Sequence, residues 1–243
     1  VFPTHSKLDG RGQLTEIRAA DLRFNTAEAG ALLRDVIGLP LSADDAAALE
    51  ARTEGWAAGL QLAALALRER PSGEDRAAFI AEFTGNNRFV VDYLAGEVLD
   101  RLAPHLREFV LRTAVLDRLC AELCGYVVGD ASDRATKIED RGSSVAAAID
   151  PRSSIVYSQK MLDELERANL FLIPLDDQRR WYRYHQLFAD VLRAQLAHTH
   201  SPDLVAELHR RASAWLAEHG QADAAIEHAL AAGDHIRAAG LVE

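Results

Sequence analysis

The chain has 243 residues, of which 49% are hydrophobic and 26% charged, and it carries a net charge of −10. That composition supplies a core for one or two domains. It excludes a broad phosphate-binding face, because non-specific nucleic-acid affinity needs phosphates neutralised by Lys and Arg. No apolar run approaches the roughly 20 residues of a membrane span, and no basic-then-apolar leader opens the chain. Two cysteines, Cys120 and Cys124, lie one helical turn apart, a spacing unsuited to a mutual disulfide, and the low count fits a reducing, cytoplasmic setting. The start at Val1 rather than Met is what an excised fragment would show.

Residues 1–12, with Pro3, Gly10 and Gly12, read as a tail or linker. After a turn or short strand at 13–24, Asn25 or Thr26 caps a helix over 28–37 that Gly38 and Pro40 close. Ser42 is a second cap, with Asp44 and Asp45 in the favourable first turn, for a helix whose body is 46–53. Gly55 breaks it, a more buried helix follows over 56–70, and another runs over 76–84. Phe89, Val90, Tyr93, Leu94, Val98 and Leu99 then recur at helical spacing.

Three short helices are expected at 104–113, with Pro104 harmless in the first turn, at 119–128 and at 158–169. Between the last two, 129–154 is rich in Asp, Ser, Arg and Gly without a sustained period and reads as a long mobile loop. The runs Leu170–Leu175 and Trp181–Tyr184 flank a polar turn and predict a β-hairpin, with Pro174 on an edge. Three helices and a hairpin are the outline of a winged helix. Residues 203–220 and 223–242 form a last helical pair, with Gly220 and Gly233-Asp234 as punctuation, of the tetratricopeptide kind. One such pair cannot bury both its faces. The fold class expected is therefore mainly α: a helical domain, a winged helix, and the start of a tetratricopeptide-like superhelix.

Chemistry is sparse. No Gly-x-x-x-x-Gly-Lys phosphate loop, Gly-x-Ser-x-Gly elbow, His-Glu-x-x-His or paired-cysteine zinc pattern occurs, so the chain is not expected to be an enzyme. Cys120 and Cys124 read as buried apolar thiols. His198, His200 and His209 make only a weak metal cluster and read as solvated histidines. Asp163-Glu164 and Asp176-Asp177 read as a helix surface and a turn tip rather than a general acid–base pair. Arg179 and Arg180 beside Trp181 imitate a nucleic-acid wing, but Asp163, Glu164 and Glu166 on the would-be recognition helix repel phosphate. His185, at a strand-to-helix junction, is the best polar candidate, because exposed N–H groups at a helix start suit an anion; a purely structural histidine is the competing reading.

The stretches ERANLFLIPLD and WYRYHQLFADVLR, together with LTEIRAADLRF, LEARTEGWAAGLQLAALALR, FVVDYLAGEVLDRL, VLRTAVLDRLC and LHRRASAWLAEHG, resemble the MalT-like transcriptional activators. These carry a LuxR-type DNA-binding domain and are signal-transducing ATPases with numerous domains. The resemblance implies a lid-like helical domain at 13–88, a winged helix at 89–199 and the first pair of a sensor superhelix at 200–243. It implies a regulatory fragment that couples nucleotide state to that superhelix; the alternative is an autonomous interaction module. Tyr184-His185-Gln186-Leu187 resembles the Met-His-Asp-Leu motif whose histidine reaches the β-phosphate of ADP, which marks His185 as nucleotide-binding together with a separate core domain. Trp56 to Gln61 resembles the segment lining the adenine pocket, though without its proline, and marks Trp56 and Gly59. No cofactor is expected in the fragment itself; ATP or ADP with magnesium is expected in the parent protein. The implied partners are an upstream nucleotide-binding domain and an inducer acting through the downstream superhelix, with no DNA contact by this fragment and no membrane.

Overall fold

Asn25 opens the first helix with a reciprocal cap: its side chain accepts from the Glu28 N–H at 3.0 Å, and its own N–H donates to the Glu28 carboxylate at 3.0 Å. In this computed structural model the described residues are 22–39, 41–68, 73–85, 87–129 and 151–242. The tail expected at 1–12 and residues 130–150 of the expected loop lie outside them. The chain divides into two compact units after Glu82.

The first unit is helical. Helix α1 (Thr26–Ala31) runs on as a π-helical turn over Leu32–Val36. Helices α2 (Ala43–Thr53), α3 (Ala57–Arg68) and α4 (Gly73–Glu82) follow. Ser42 caps α2 by accepting from Asp45 N–H at 3.0 Å, as its residue type predicts. Helix α2 ends where Glu54 and Gly55 both take positive φ, 50° and 67°. Leu33, Leu49, Leu60 and Leu67 are fully buried between these helices.

The second unit begins with α5 (Arg88–Tyr93), which loosens into π-helical and 3-10 turns over Leu94–Val98 and Leu99–Arg101. Helices α6 (Pro104–Thr113) and α7 (Ala121–Val128) come next, then α8 (Pro151–Arg167). Strands β1 (Leu172–Pro174) and β2 (Tyr182–Tyr184) pair antiparallel, with Pro174 opposite Tyr182. Tyr182 exchanges both backbone hydrogen bonds with Leu119, at 2.8 Å each, so β2 is flanked on both sides. Pro174 is therefore on the outer strand, where its missing N–H leaves no partner unsatisfied. Helix α9 (Gln186–Thr199) leaves the hairpin, and α10 (Pro202–Glu218), α11 (Ala222–Ala231) and α12 (His235–Gly240) end the chain. The architecture is mainly helical with a winged helix at its centre, as expected.

Two expectations need correction. The third helix of the winged helix starts at Pro151 rather than 158, so 151–154 is helix and not loop. Arg152, Ser153 and Ser154 of its first turn are polar, and the first two are exposed, which hides the turn from any periodicity test; a tertiary contact holds it. Gly125 on α7 lies so close to Ser154 that a Cβ there would stand 3.0 Å from the Ser154 carbonyl. The last predicted helix is also two: Gly233, at φ 73°, breaks it, and Asp234 caps α12 by accepting from Arg237 N–H at 3.0 Å. Among the described residues no helix is long and apolar enough to cross a membrane.

Candidate functional site

His185 sits at the N-cap of α9, immediately after β2, with its residue 5% exposed. Its N–H donates to the Phe171 carbonyl at 2.8 Å, one rung beyond the Leu172–Tyr184 pair, and its carbonyl accepts from Ala189 N–H at 2.9 Å. Hairpin and helix thus fix its backbone from both sides. The ring meets Phe171 edge-on at 5.9 Å between centroids, and Phe171 lies against Phe188 at 5.1 Å. Tyr184 adds an edge contact to Phe188 at 5.9 Å and shares a 2.7 Å hydrogen bond with the buried Thr113 hydroxyl. Burial pushes the Tyr184 phenol far above its ordinary pKa, so it stays protonated. Phe171 itself holds φ at 55°, a conformation bulky side chains rarely adopt. The junction therefore stores strain beside the one candidate histidine.

Trp56 and Gly59 lie in the first unit, at the start of α3, and the fold brings them together. Trp56 accepts from Leu60 N–H at 2.9 Å and donates its own N–H to the Thr53 carbonyl at 2.9 Å. A Cβ on Gly59 would stand 2.7 Å from the Trp56 ring and 3.3 Å from Thr53. Gly59 is thus required for the half-buried indole to lie across the first turn of its own helix.

The weaker candidates resolve into structural parts. Cys120 and Cys124 are buried free thiols, both pushed up in pKa chiefly by burial, and Cys120 Sγ caps α7. Asp176 builds the hairpin turn, its two carboxylate oxygens accepting from Arg180 and Trp181 N–H at 2.9 and 3.2 Å. Arg179 is paired with Glu166 at 3.0 Å, while Trp181 is covered by Arg118 and edges Trp215. The wing aromatic therefore packs on the protein.

His198, His200 and His209, read as solvated histidines rather than as a metal cluster, do not come together, and His209 is half-buried rather than solvated. His200 bonds Thr199 and Glu108 at 2.9 and 3.3 Å. His209 on α10 instead meets His228 on α11, Nδ1 to Nδ1, at 2.8 Å, which requires one ring to donate and the other to accept. His228 escaped the sequence reading because only the antiparallel return of α11 places it opposite a residue 19 positions earlier. Among the described residues no group of three His, Cys, Asp or Glu could hold a metal ion. Beside the pair lies a cleft of about 190 Å³ whose lining includes Asp117, Arg118, Trp181, Glu227 and His228.

Burial first, then the charges of His228 and Arg193, depress His209 to about 4, with Asp117 opposing. His228 is lowered too, mainly by burial. An unfolded histidine titrates near 6.5. Between these values the unfolded chain holds the extra protons, so stability falls as pH drops from about 6.5 towards 4, and the pair contributes no pH dependence above that window. His209→Gln is expected to flatten the decline of the urea midpoint between pH 7 and pH 5. An acid slope equal to that of the unsubstituted chain would assign the decline to other groups.

Comparison with known proteins adds the context. Residues 95–205 match the family model of the MalT winged helix domain. The HTH-type transcriptional regulator MalT of Klebsiella pneumoniae is 35% identical over 226 residues, 92% of this chain and 22% of that protein. These matches support a MalT-like family. The MalT of Yersinia enterocolitica is 34% identical over 225 residues, 92% of this chain and 22% of that protein. The serine/threonine-protein kinase PknK of Mycobacterium tuberculosis is 42% identical over 231 residues, 95% of this chain but 18% of the kinase. The chain thus spans about a fifth of the length of the curated relatives it matches.

Proposed function

We propose that the chain is the coupling segment of a MalT-type, ATP-dependent regulator, non-catalytic by itself, with His185 reporting the phosphate state of a nucleotide held by a separate upstream domain. The observation that carries this reading is the setting of His185. His185 is buried at a strand-to-helix junction, its backbone is bonded on both sides, and its ring stands edge-on to a strained Phe171. Strain of this kind gathers at switching and ligand-clamping residues. In this reading Trp56 and Gly59 belong to the adenine side, ATP or ADP with magnesium binds in the upstream domain, and an inducer acts through helices beyond α12. The acidic face of α8, with Asp163, Glu164 and Glu166, argues against direct DNA contact by this winged helix.

In the full-length protein, His185→Ala is expected to weaken ADP retention about tenfold, the worth of one charge-assisted hydrogen bond, and to raise basal transcription. Unchanged ADP affinity together with unchanged basal output would reject the assignment. A second reading is an interaction module that serves different outputs, favoured by the match to a kinase as well as to transcriptional regulators. A Gly-x-x-x-x-Gly-Lys motif encoded upstream in the same gene separates the two, supporting the nucleotide switch where it is present.

A further inference from the structure

We infer that Arg193 is the joint through which the segment entering the second unit, residues 83–85, is tied to the helical pair α10–α11. Phe83 is 1% exposed, so the segment is anchored from its first residue. Gly85 lies flat on α9: a Cβ there would run into the Leu187 carbonyl oxygen and the Asp190 side chain and stand 3.0 Å from Val191 N. No other residue lets the backbone approach this closely. The Gly85 N–H donates to Asp190 Oδ2 at 3.1 Å, two turns or less from His185 on the same helix.

Asp190 faces two ways. Its other oxygen, Oδ1, is 3.7 Å from Arg193 one turn along. Arg193 in turn spans to the α6–α7 connection, donating from Nε to the Ala114 carbonyl at 3.0 Å and from its terminal nitrogen to Asp117 Oδ1 at 2.7 Å. Ala114 closes α6, so its carbonyl is among those that need an external donor. The planar guanidinium holds several partners in fixed directions, which an ammonium would not.

Beyond Arg193 stands the His209–His228 bond that joins α10 to α11. Asp117, which accepts from Arg193, lines the same cleft as His228, and Arg211 of α10 donates to the Val127 carbonyl of α7 at 3.4 Å, so the α6–α7 connection and the helical pair are joined. A shift of residues 83–85 displaces Asp190, releases Arg193 from one of its partners and loosens the α6–α7 connection on which the helical pair rests. Ion pairs as exposed as Arg193–Asp117 are individually weak, so the device works by geometry and not by strength. Its regulatory meaning rests on the nucleotide-coupling role proposed above; the mechanical link does not.

The test is a cycle of variants in the 243-residue chain, read by amide hydrogen exchange. Gly85→Ala is expected to speed exchange about fivefold or more in peptides covering 205–231. In an Arg193→Gln background the same substitution should leave 205–231 at the rate of Arg193→Gln alone, while exchange near 87–93 still rises. Equal acceleration of 205–231 in both backgrounds, or none in either, would overturn the joint. Should Gly85→Ala fail to fold, Asp190→Asn is the gentler probe, since it keeps an acceptor for Gly85 N–H and removes the charge facing Arg193. It is expected to speed 205–231 about threefold without affecting 43–68, and an unchanged rate would overturn the proposal. No nucleotide enters this experiment, so a negative His185→Ala result and a negative exchange result remain separate outcomes.

Discussion

Replacing Phe188 with alanine is expected to cost the second unit about 3 to 5 kcal/mol, the range for truncating a fully buried aromatic. Phe188 is 0% exposed and lies between Phe171 and Tyr184, so the cavity is bounded by two rings already fixed elsewhere. Tyr184 is held by Thr113, and Phe171 by the hydrogen bond from His185, so neither can move in to fill the space. Phe188→Leu keeps most of the volume and should cost under about 1.5 kcal/mol. Urea unfolding followed by Trp181 and Trp215 fluorescence, in a Trp56→Phe background, isolates this unit. Similar losses for the two variants would mean that the site collapses around the cavity and that the ring cluster does not hold the hairpin to α9. Because the His185 N–H bonds Phe171, its exchange should accelerate at least as much as the global unfolding rate requires.

In the first unit the largest effect is expected from Gly55→Ala, at about 2 to 4 kcal/mol. Roughly 1 kcal/mol comes from forcing a side chain to a φ of 67°. About 1 to 3 kcal/mol more comes from overpacking, because the new Cβ would run into the Phe24 carbonyl oxygen and stand 2.9 Å from Phe24 N. That collision also opposes the 2.9 Å hydrogen bond from Phe24 N–H to the Gly55 carbonyl, which brings the chain before α1 against the end of α2. Gly38→Ala supplies the comparison. Its φ is 72°, yet nothing lies within 4 Å of its Cβ position, so only the conformational part should appear. Denaturation followed by Trp56, one residue from Gly55, reads both; equal costs would reject the close approach.

The helices of this protein are legible from the chain wherever a local chemical signal coincides with a burial stripe. Asn25 with Glu28 and Ser42 with Asp45 form their caps as residue type dictates. Pro104 opens a helix that ends at Thr113, with Leu106, Phe109 and Val110 on its buried face. Pro174 predicted its own place on an outer strand. Where the local signal is weak, long-range packing takes over. Residues 151–154 are helical because α7 offers a glycine at the point of contact, and their own polar pattern points the other way.

The candidate site divides along the same line. His185 could be singled out because hairpin and helix patterns meet at one residue, and both patterns are local. Its burial, its edge-on contact with Phe171 and the strained φ of Phe171 could not, since they depend on α9 folding back over the hairpin. The pairing of His209 with His228, and the reach of Arg193 from Asp190 to Ala114 and Asp117, depend on how helices pack side by side. Residue type and spacing determine elements, caps and turns, because those interactions close within a few residues. Partners 19 to 105 positions apart, such as His209 with His228 or Gly85 with Asp190, are chosen only when the packed helices bring them within reach.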